Sequence, residues 1–480
     1  ASALKQASKM RKGNKALGLN WNFKGPDNVG GRTRAIVIDF ADTNHIFAGA
    51  VSGGLWESTD AGRSWSAYDD GFKIQNVSAM AQAANGDIIV ATGAYHDGSG
   101  NNKAVGSEFV GNGVWRLTGN RNSDLIVGPN SEFNYGEEWA TTAEIATDPN
   151  NSQRFFIAMN RGLRETNDGG ATWTNPLGIT TACQDVHITA DGKIAAGFAG
   201  SVRISTDNGI TWNTSNFPTG SRARVEIAIA PSNSNVMYAA NSHVSNGSCT
   251  EGVYKTNDAG LTWSKILNTP NYMGNPVGCQ GFYDNTIAVF PDNEGKIVTG
   301  GVNMFQWTQS SVDPAPLQGE WKIIATNNKF FGSGSRNPFY IHSDVHKFVF
   351  HPTNPNKLFV GSDGGVGFSA NMNDLFPTYG QYNAGYNVTQ FYDIGVGPKD
   401  LVIGGTQDNG TQLLGLGFNT GTSAVEVRGG DGFDVDLFTI NPELGIASLY
   451  YGDIERVQGI GSSLGSSTFN NAAIYSGTVS

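Results

Sequence analysis

Charge is scarce in this chain: of its 480 residues, only 15% are Asp, Glu, Lys or Arg. The formal net charge of -11 argues against a nucleic-acid partner, because phosphates would be repelled, but it leaves a sugar, a protein or a cation open. No run of about 18 apolar residues occurs, so no membrane-spanning helix is predicted. Residues 1–20 carry five basic side chains and no apolar core, so we expect a basic N-terminal segment rather than a signal peptide.

Cysteine is rarer still, with three in the whole chain. Cys249 and Cys279 lie 30 residues apart, in what should be neighbouring loops, and could form a disulfide. Cys183 would then be a lone, buried thiol. Loops rich in Asn, Ser and Gly and poor in Lys favour an extracytoplasmic protein, where disulfides persist.

Glycine is abundant, with 64 residues. One eight-residue sequence motif, here called the phrase, occurs four times. The phrase has the pattern Ser/Thr-x-Asp-x-Gly-x-Ser/Thr-Trp. Its four copies are Ser58–Trp65, Thr166–Trp173, Ser205–Trp212 and Thr256–Trp263. A repeat this specific indicates an architecture of stacked equivalent units.

Each phrase ends a longer unit of short alternating apolar runs separated by Asn, Asp, Gly or Pro, which is typical of strands and hairpins. The second run of the unit is the easiest to follow. It recurs at Ile46, Ile88, Phe155, Ile194, Val236, Ile297, Leu358, Leu401 and Leu444. Nine units with four strands each predict an all-β fold, a β-propeller of four-stranded antiparallel blades over residues 21–480. The nine blades could form one large ring or part of a larger or tandem propeller.

The phrase resembles the Asp-box, or BNR, repeat of sialidases, sortilin-type receptors and tandem-propeller xyloglucan hydrolases. Five further segments resemble large secreted bacterial sortilin-like proteins, many of them glycosyl-hydrolase-like. These segments are Asn28–Ala35, Ser343–His346, Gly361–Gly365, Thr406–Gly410 and Gly429–Phe433. The resemblance implies a protein secreted by a bacterium or held on its outer surface. It also implies further blades and other parts of a larger surface protein beyond this chain.

The phrase should form the turn between the third and fourth strands of a blade. Its aspartates are Asp60, Asp168, Asp207 and Asp258. Each carboxylate can accept backbone hydrogen bonds within the turn, and the Trp packs between blades. We expect a structural role for these aspartates rather than a catalytic or calcium-binding one, because a reactive group has no reason to recur in every blade.

The other polar motifs fall on the opposite face, here called the top face, where the innermost strands begin. The predicted ligand-binding residues there are Arg32, Arg34, His342, Asp344, His346, Asp363, Asp408 and Asp431. Acidic, basic and imidazole groups would thus converge at one mouth of the propeller, where such folds bind ligands.

Two groups of residues could hold a metal ion. His342, Asp344 and His346 alternate along an extended segment and should share one face, which suits a transition metal or a hydrogen-bonded polar plug. We favour the plug. Asp97, Ser99 and Asn101 could supply oxygen ligands to a calcium ion, but the bidentate Glu of an EF-hand loop is missing, and we favour a flexible insertion. No cofactor is predicted to be required, and a structural calcium ion is possible.

A glycosidase needs two carboxylates across a cleft, about 5–5.5 Å apart for retention or about 6.5–9.5 Å for inversion. The catalytic candidates are Asp344, Asp363, Asp408 and Asp431. In the tandem-propeller hydrolases that the chain resembles, a first-blade motif Asp-x-Gly-Gly supplies an acid, but Val51 stands in that position here. The sialidase motif Phe-Arg-Ile-Pro is also missing.

We therefore expect a non-catalytic recognition or scaffold module that binds a protein or a glycan through its top face. The alternative is a glycoside hydrolase that uses two top-face carboxylates.

Overall fold

The computed structural model describes residues 23–68, 74–97, 109–130, 136–218, 222–243, 249–275, 278–310, 317–330, 335–415, 422–441, 444–450, 453–458 and 472–475. The predicted N-terminal segment 1–20 lies outside them. Within these ranges the chain is all β, with three short 3-10 turns at Tyr95–Asp97, Gly119–Arg121 and Pro398–Asp400. None of the described segments is a helix able to cross a membrane.

Nine antiparallel sheets follow one another along the chain, and in each the strand order equals the chain order. Blade 1 contains β1 (Thr33–Ile38), β2 (Ile46–Ala50), β3 (Gly54–Ser58) and β4 (Ser66–Ala67). Blade 2 contains β5 (Val77–Gln82), β6 (Ile88–Thr92), β7 (Val114–Thr118) and β8 (Asn122–Val127). Blade 3 contains β9 (Thr142–Asp148), β10 (Asn151–Met159) and β11 (Gly162–Thr166), with a bridge from Glu165 to Thr174 in place of a fourth strand.

The next three blades repeat this arrangement. Blade 4 contains β12 (Cys183–Ile188), β13 (Ile194–Phe198), β14 (Ser201–Ser205) and β15 (Asn213–Thr214). Blade 5 contains β16 (Arg222–Ala230), β17 (Asn233–His243), β18 (Thr250–Thr256) and β19 (Ser264–Lys265). A small hairpin, β20 (Gly274–Asn275) and β21 (Gly278–Cys279), precedes blade 6. Blade 6 contains β22 (Thr286–Phe290), β23 (Asn293–Gly300), β24 (Met304–Gln309) and β25 (Gly319–Ala325).

Three blades complete the described chain. Blade 7 contains β26 (Val345–His351), β27 (Asn354–Ser362), β28 (Gly365–Ser369) and β29 (Gly380–Gln381). Blade 8 contains β30 (Phe391–Val396), β31 (Val402–Thr406), β32 (Thr411–Leu414) and β33 (Val425–Arg428). Blade 9 contains β34 (Val435–Leu437), β35 (Leu444–Ser448), β36 (Ile454–Gln458) and β37 (Ala472–Tyr475). The prediction of about nine antiparallel blade units is confirmed; eight of them have four strands, and blade 3 has three.

The hydrophobic core consists of separate clusters at the interfaces between neighbouring blades. This is because each sheet is apolar on both faces and packs against one blade on each side. Separate buried clusters join blades 1 to 2, 2 to 3, 3 to 4, 4 to 5, 5 to 6 and 6 to 7. A seventh cluster joins blade 7 back to blade 1, with Phe359 and Val366 packed against Ile36 and Trp65. The ring therefore closes after seven blades, not nine.

Ring closure is reinforced by hydrogen bonds between the two ends of the ring. The Trp65 indole donates to the Tyr382 carbonyl at 2.8 Å, and the hydroxyls of Thr33 and Tyr386 lie 3.1 Å apart. Blades 8 and 9 share a further buried cluster and lie outside the ring. One large ring of nine blades is therefore wrong, and a seven-bladed ring with two further blades agrees with the alternative of a larger or tandem propeller.

The repeated phrase, here called the Asp turn, lies between the third and fourth strands as predicted. In the Asp60 turn, the carboxylate accepts hydrogen bonds from the Ser58 hydroxyl at 2.7 Å and from the Ser64 backbone at 2.9 Å. The turns of Asp168, Asp207 and Asp258 repeat the same bonds. Gly62 takes a φ of 82°, a left-handed conformation that favours glycine. The four turns mark the bottom face of the ring.

Two of the three cysteines are bonded to each other, which the sequence had left open. Cys249 and Cys279 form a disulfide that ties the loop after β17 to the small hairpin before blade 6. Cys183 is a free, buried thiol at the start of β12. Burial is the main cause that raises the pKa of this thiol, so Cys183 packs as a small apolar side chain.

Candidate functional site

Arg32, which immediately precedes β1, is the centre of the top face. Its guanidinium is 7% exposed and donates to three carboxylates from three different blades. Its distances are 3.1 Å to Asp97, 3.2 Å to Asp363 and 3.3 Å to Asp408. A planar guanidinium with five donors suits such a position, because it can satisfy several acceptors at once.

A second arginine and a tyrosine complete the inner layer. Arg34 donates to the other oxygen of Asp97 at 2.7 Å, and the Arg32 and Arg34 guanidinium groups lie 4.9 and 5.0 Å from the centre of the Tyr283 ring. The Tyr283 hydroxyl donates to Asp363. Tyr283 lies three residues before β22, whereas Arg32 lies directly before β1. The sequence analysis missed Tyr283, because it belongs to none of the polar motifs.

Asp363, in the turn between β27 and β28, is 1% exposed and fully engaged. One of its oxygens accepts from Arg32 and lies 2.7 Å from His346 Nε2. Burial alone would raise the pKa of Asp363, but Arg32, followed by His346 and Tyr283, lowers it well below the usual range. Asp363 is therefore a permanent anion inside the site.

The expectation that His342, Asp344 and His346 share one face of an extended segment is wrong. Asp344 has a φ of 63°, and the strand begins only at Val345, so the alternation is broken at the middle residue. His342 Nε2 lies 2.9 Å from the Asp408 carbonyl, whereas His346 turns inward to Asp363. Asp344 instead accepts a hydrogen bond from Gln280.

Blade 8 supplies the upper layer of the site. Asp408, in the turn between β31 and β32, has a side chain that is 28% exposed, and its backbone N–H donates to Asp431 at 2.7 Å. The side-chain amide of Asn409 donates to the Asp363 carbonyl at 2.9 Å. Blade 8 is thus fastened to the top of the ring at the position of Arg32.

Carboxylates outnumber cations in this site. The oxygens of Asp344, Asp363 and Asp408 all lie within 4.8 Å of one another. Burial raises the pKa of Asp344 to about 8, and the charge of Asp363 adds to this rise although Arg32 opposes it. Burial likewise raises the pKa of Asp408 to about 9, again reinforced by Asp363. Of these three carboxyls, Asp363 is thus the anion near neutral pH, and Asp344 and Asp408 are protonated.

An open cavity of about 810 Å³ lies beside these residues, between the ring and blades 8 and 9, and is here called the cleft. Asp344, Asp408 and Asp431 line its floor, together with His342. The loop between β25 and β26 forms one wall, where Phe330 is 58% exposed. Amide side chains and backbone from blades 7 and 8 form the other wall.

Two wall residues have polar atoms without partners. Gln412 is 2% exposed, and its Oε1 accepts no hydrogen bond from the described residues. Gln381 Nε2, on the same wall, likewise donates to none of them. Both atoms are themselves buried, so the surface that this wall presents to the cleft is defined by its amide side chains, which carry donors and acceptors.

The predicted ligand-binding residues therefore form one connected cluster, but at different depths. Asp344, Asp408, Asp431 and His342 reach the cleft, whereas Arg32, Arg34, His346 and Asp363 lie beneath it. The four that lie beneath are placed to hold the floor rather than to touch a ligand. Asp97 is bonded to both arginines, while Ser99 and Asn101 lie outside the described residues.

Comparisons with known proteins give a fold and no family. No protein-family model matches the sequence, and no curated protein matches it. Among solved structures, a GH74 xyloglucanase from Xanthomonas campestris has 15% identity and a TM-score of 0.64 over 92% of this chain and 68% of its own. An ancestral GH74 enzyme has 17% identity and a TM-score of 0.65 over 92% of this chain.

A GH74 enzyme from Niastella koreensis is similar to the same degree, with 17% identity and a TM-score of 0.65 over 95% of this chain. The present chain spans 62% of the ancestral enzyme and 68% of the Niastella enzyme. At this identity the likeness establishes a shared propeller fold and nothing about activity.

Proposed function

We propose that the protein recognises a polysaccharide, which lies in the cleft between the seven-bladed ring and blades 8 and 9. The observation that carries the proposal is the polar cleft itself. Its floor is made of carboxyls, and its wall carries amide side chains, among them those of Gln381 and Gln412. A sugar hydroxyl both donates and accepts, so a chain of sugars matches this lining better than an apolar peptide does.

The chemistry of the floor favours an uncharged glycan. Asp344 and Asp408, whose pKa values burial raises to about 8 and about 9, are protonated at neutral pH and can donate to sugar oxygens. Phe330 offers an exposed ring at the rim, on which a sugar face can pack. The likeness to GH74 enzymes, one of them a xyloglucanase, supports a glycan over a protein ligand.

The setting that fits this function is outside the cytoplasm. The Cys249–Cys279 disulfide supports a secreted or cell-surface location, because such bonds persist in oxidising compartments. The Asp turns and the top-face motifs support membership of the Asp-box, sortilin-like proteins of bacterial surfaces. In that setting the chain would act as one recognition module within a larger surface protein.

Hydrolysis of the bound glycan is the second candidate, and the pair Asp344 and Asp408 favours it. Their oxygens lie within 4.8 Å, which is closer to the roughly 5–5.5 Å of retaining glycosidases than to the wider inverting spacing. A carboxyl that stays protonated at neutral pH can serve as the general acid. Val51 at the position of a first-blade acid, and the raised pKa values of both Asp344 and Asp408, which leave neither of the two as an ionised partner at neutral pH, weigh against it.

Native electrophoresis in gels that contain xyloglucan, mannan or a mixed-linkage glucan tests the binding proposal. We expect at least one neutral polysaccharide to retard the protein. The change Gly429→Trp places a large ring in the cleft with little strain, since an added Cβ meets only Glu426 Oε1 at 3.3 Å. Gly119→Trp is the matched control, because its added Cβ meets nothing within 4 Å and lies in blade 2.

The same protein preparations separate binding from hydrolysis when released reducing ends are measured. Binding without release supports a recognition module. Release that disappears in Asp344→Asn or Asp408→Asn, while retardation persists, would establish the hydrolase instead. If no polysaccharide retards the protein, or if Gly429→Trp binds like Gly119→Trp, the proposed site is refuted.

A further inference from the structure

The ring contains a second cavity, which the proposed function does not use. It has a volume of about 790 Å³, follows the ring axis, and is here called the channel. Inner strands of blades 3 to 7 line it, and Pro231, Pro291 and Pro352, in the turns after β16, β22 and β26, line its bottom end. The channel therefore opens on the face of the Asp turns, away from the cleft.

Charged side chains cross the upper part of the channel. Lys347 of blade 7 and Glu144 of blade 3 form an ion pair between opposite sides of the ring. Asp185 lies 3.1 Å from His187 on β12, and Arg224 lies 2.7 Å from Glu226 on β16. These three pairs make a polar floor for a molecule that enters from below.

Nearer the opening, the lining becomes apolar. The inner strands carry half-buried aliphatic and aromatic side chains there, which keep part of their surface toward the channel. They are Ile188, Ile229, Ala288, Val349 and Phe350. Apolar walls with a few polar groups at one end are the usual construction of a small-molecule site, and the volume lies in the usual range.

Among the carboxylates of the floor, Glu226 has an open position. Asp185 accepts the backbone N–H of Val186 and of Ile227, besides its contact with His187. Glu144 accepts the Ile145 N–H and the Lys347 ammonium. Of the described residues, Arg224 alone donates to the Glu226 carboxylate. The Glu226 side chain is 13% exposed.

We propose that the channel binds a small organic cation, a primary amine whose apolar body contacts Ile229 and Val349 and whose ammonium group meets Glu226. The apolar layer and the carboxylate lie along one axis, so one amphipathic molecule can satisfy both. An uncharged or anionic molecule of the same shape gains only the binding free energy of the apolar contacts.

Proton exchange at Glu226 gives this binding a distinct signature. Burial raises the pKa of Glu226 to about 8; Arg224 opposes the rise, and Asp185 and Glu144 reinforce it. Lys347 and Tyr272 also face this group. The carboxyl therefore holds a proton at pH 7, and the incoming ammonium displaces it. Affinity should rise about tenfold per pH unit between pH 6 and pH 7, and should level off above pH 8.

Calorimetry with n-hexylamine, 1-hexanol and hexanoate tests the proposal. We expect hexylamine to bind at least tenfold more tightly than hexanol at pH 7.5, and hexanoate more weakly than either. The measured heat should change between two buffers of different ionisation enthalpy, because one proton is released. Glu226→Gln should reduce hexylamine to the affinity of hexanol, whereas Glu320→Gln, an exposed position on β25, should leave it unchanged.

A second variant keeps the test decisive if Glu226→Gln does not fold. Ala288→Met narrows the channel at the apolar layer and should weaken the binding of hexylamine and of hexanol to the same degree. Equal affinities of hexylamine and hexanol for the unaltered protein would overturn the proposal, as would hexylamine binding that both variants leave intact. Neither result bears on glycan binding in the cleft, which is measured separately.

Discussion

Replacing Arg32 by methionine should destabilise the protein more than any other single loss of charge on the top face. Arg32 is 7% exposed and bonds to Asp97, Asp363 and Asp408. Methionine fills a similar volume but removes the positive charge that Arg32 shares with Asp97 and Asp363. The side chains of these two aspartates are 0% and 1% exposed, so their negative charges stay buried with less positive charge beside them. Removing one partner of a buried ion pair costs about 3–5 kcal/mol, so we expect a loss in that range.

The assay is urea unfolding followed by tryptophan fluorescence, with the free energy of unfolding compared between variants. Lys24→Met is the control, because Lys24 and Asp400 are 58% and 73% exposed and 3.7 Å apart. Such a surface pair contributes about 0–1 kcal/mol. Adding Asp363→Asn to Arg32→Met should recover part of the loss, since it removes the uncompensated anion.

A loss from Arg32→Met within about 1 kcal/mol of the Lys24→Met control would refute the reasoning. It would mean that water or a rearranged blade 8 compensates the carboxylates, and that Arg32 does not hold the floor of the cleft. An unchanged stability in the Asp363→Asn double variant would contradict the assignment of Asp363 as the buried anion.

Three further predictions concern the turns, the disulfide and the pH dependence. Asp60→Ala removes the hydrogen bonds from Ser58 and Ser64 in a partly exposed turn and should cost about 1 kcal/mol in urea unfolding; no change would contradict the structural role of the Asp turn. Replacing Cys249 and Cys279 by serine opens a loop of 30 residues and should lower the free energy of unfolding by about 3–4 kcal/mol, and an unaltered urea midpoint would contradict this. The folded state keeps protons on Asp344 and Asp408 up to about pH 8 and about pH 9, while the unfolded chain loses them near pH 4, so stability should fall as pH rises from 5 to 9. Urea midpoints at pH 5, 7 and 9 measure this, and a higher midpoint at pH 9 would count against the raised pKa values; an Asp344→Asn/Asp408→Asn variant should show a shallower decline.

The sequence predicts what is local and periodic in this fold. Strand runs recur with each blade, and the Asp60 turn depends on residues within one octapeptide, so both can be seen without a structure. The face on which the site lies also follows from strand order, because the segment before an inner strand, where Arg32 lies, and the turn between a second and a third strand, where Asp408 lies, are on the same face. Those features require no knowledge of how the blades pack.

What depends on packing between distant blades could not be predicted. Closure after seven blades is set by the contact of Phe359 and Val366 with Ile36, residues more than 300 positions apart. The burial of Arg32 depends on where blade 8 lies over the ring, because Asp408 of that blade contacts its guanidinium. The left-handed conformation of Asp344 broke an alternation that the residue pattern suggested. The local sequence does not predict these contacts.

The central claim is that a polysaccharide occupies the cleft, and retardation of Gly429→Trp and Gly119→Trp in one polysaccharide gel tests it most directly. The account predicts that the unaltered protein and Gly119→Trp are retarded equally while Gly429→Trp migrates as in a gel without polysaccharide. Equal retardation of both variants would contradict the claim and would place the ligand on another surface.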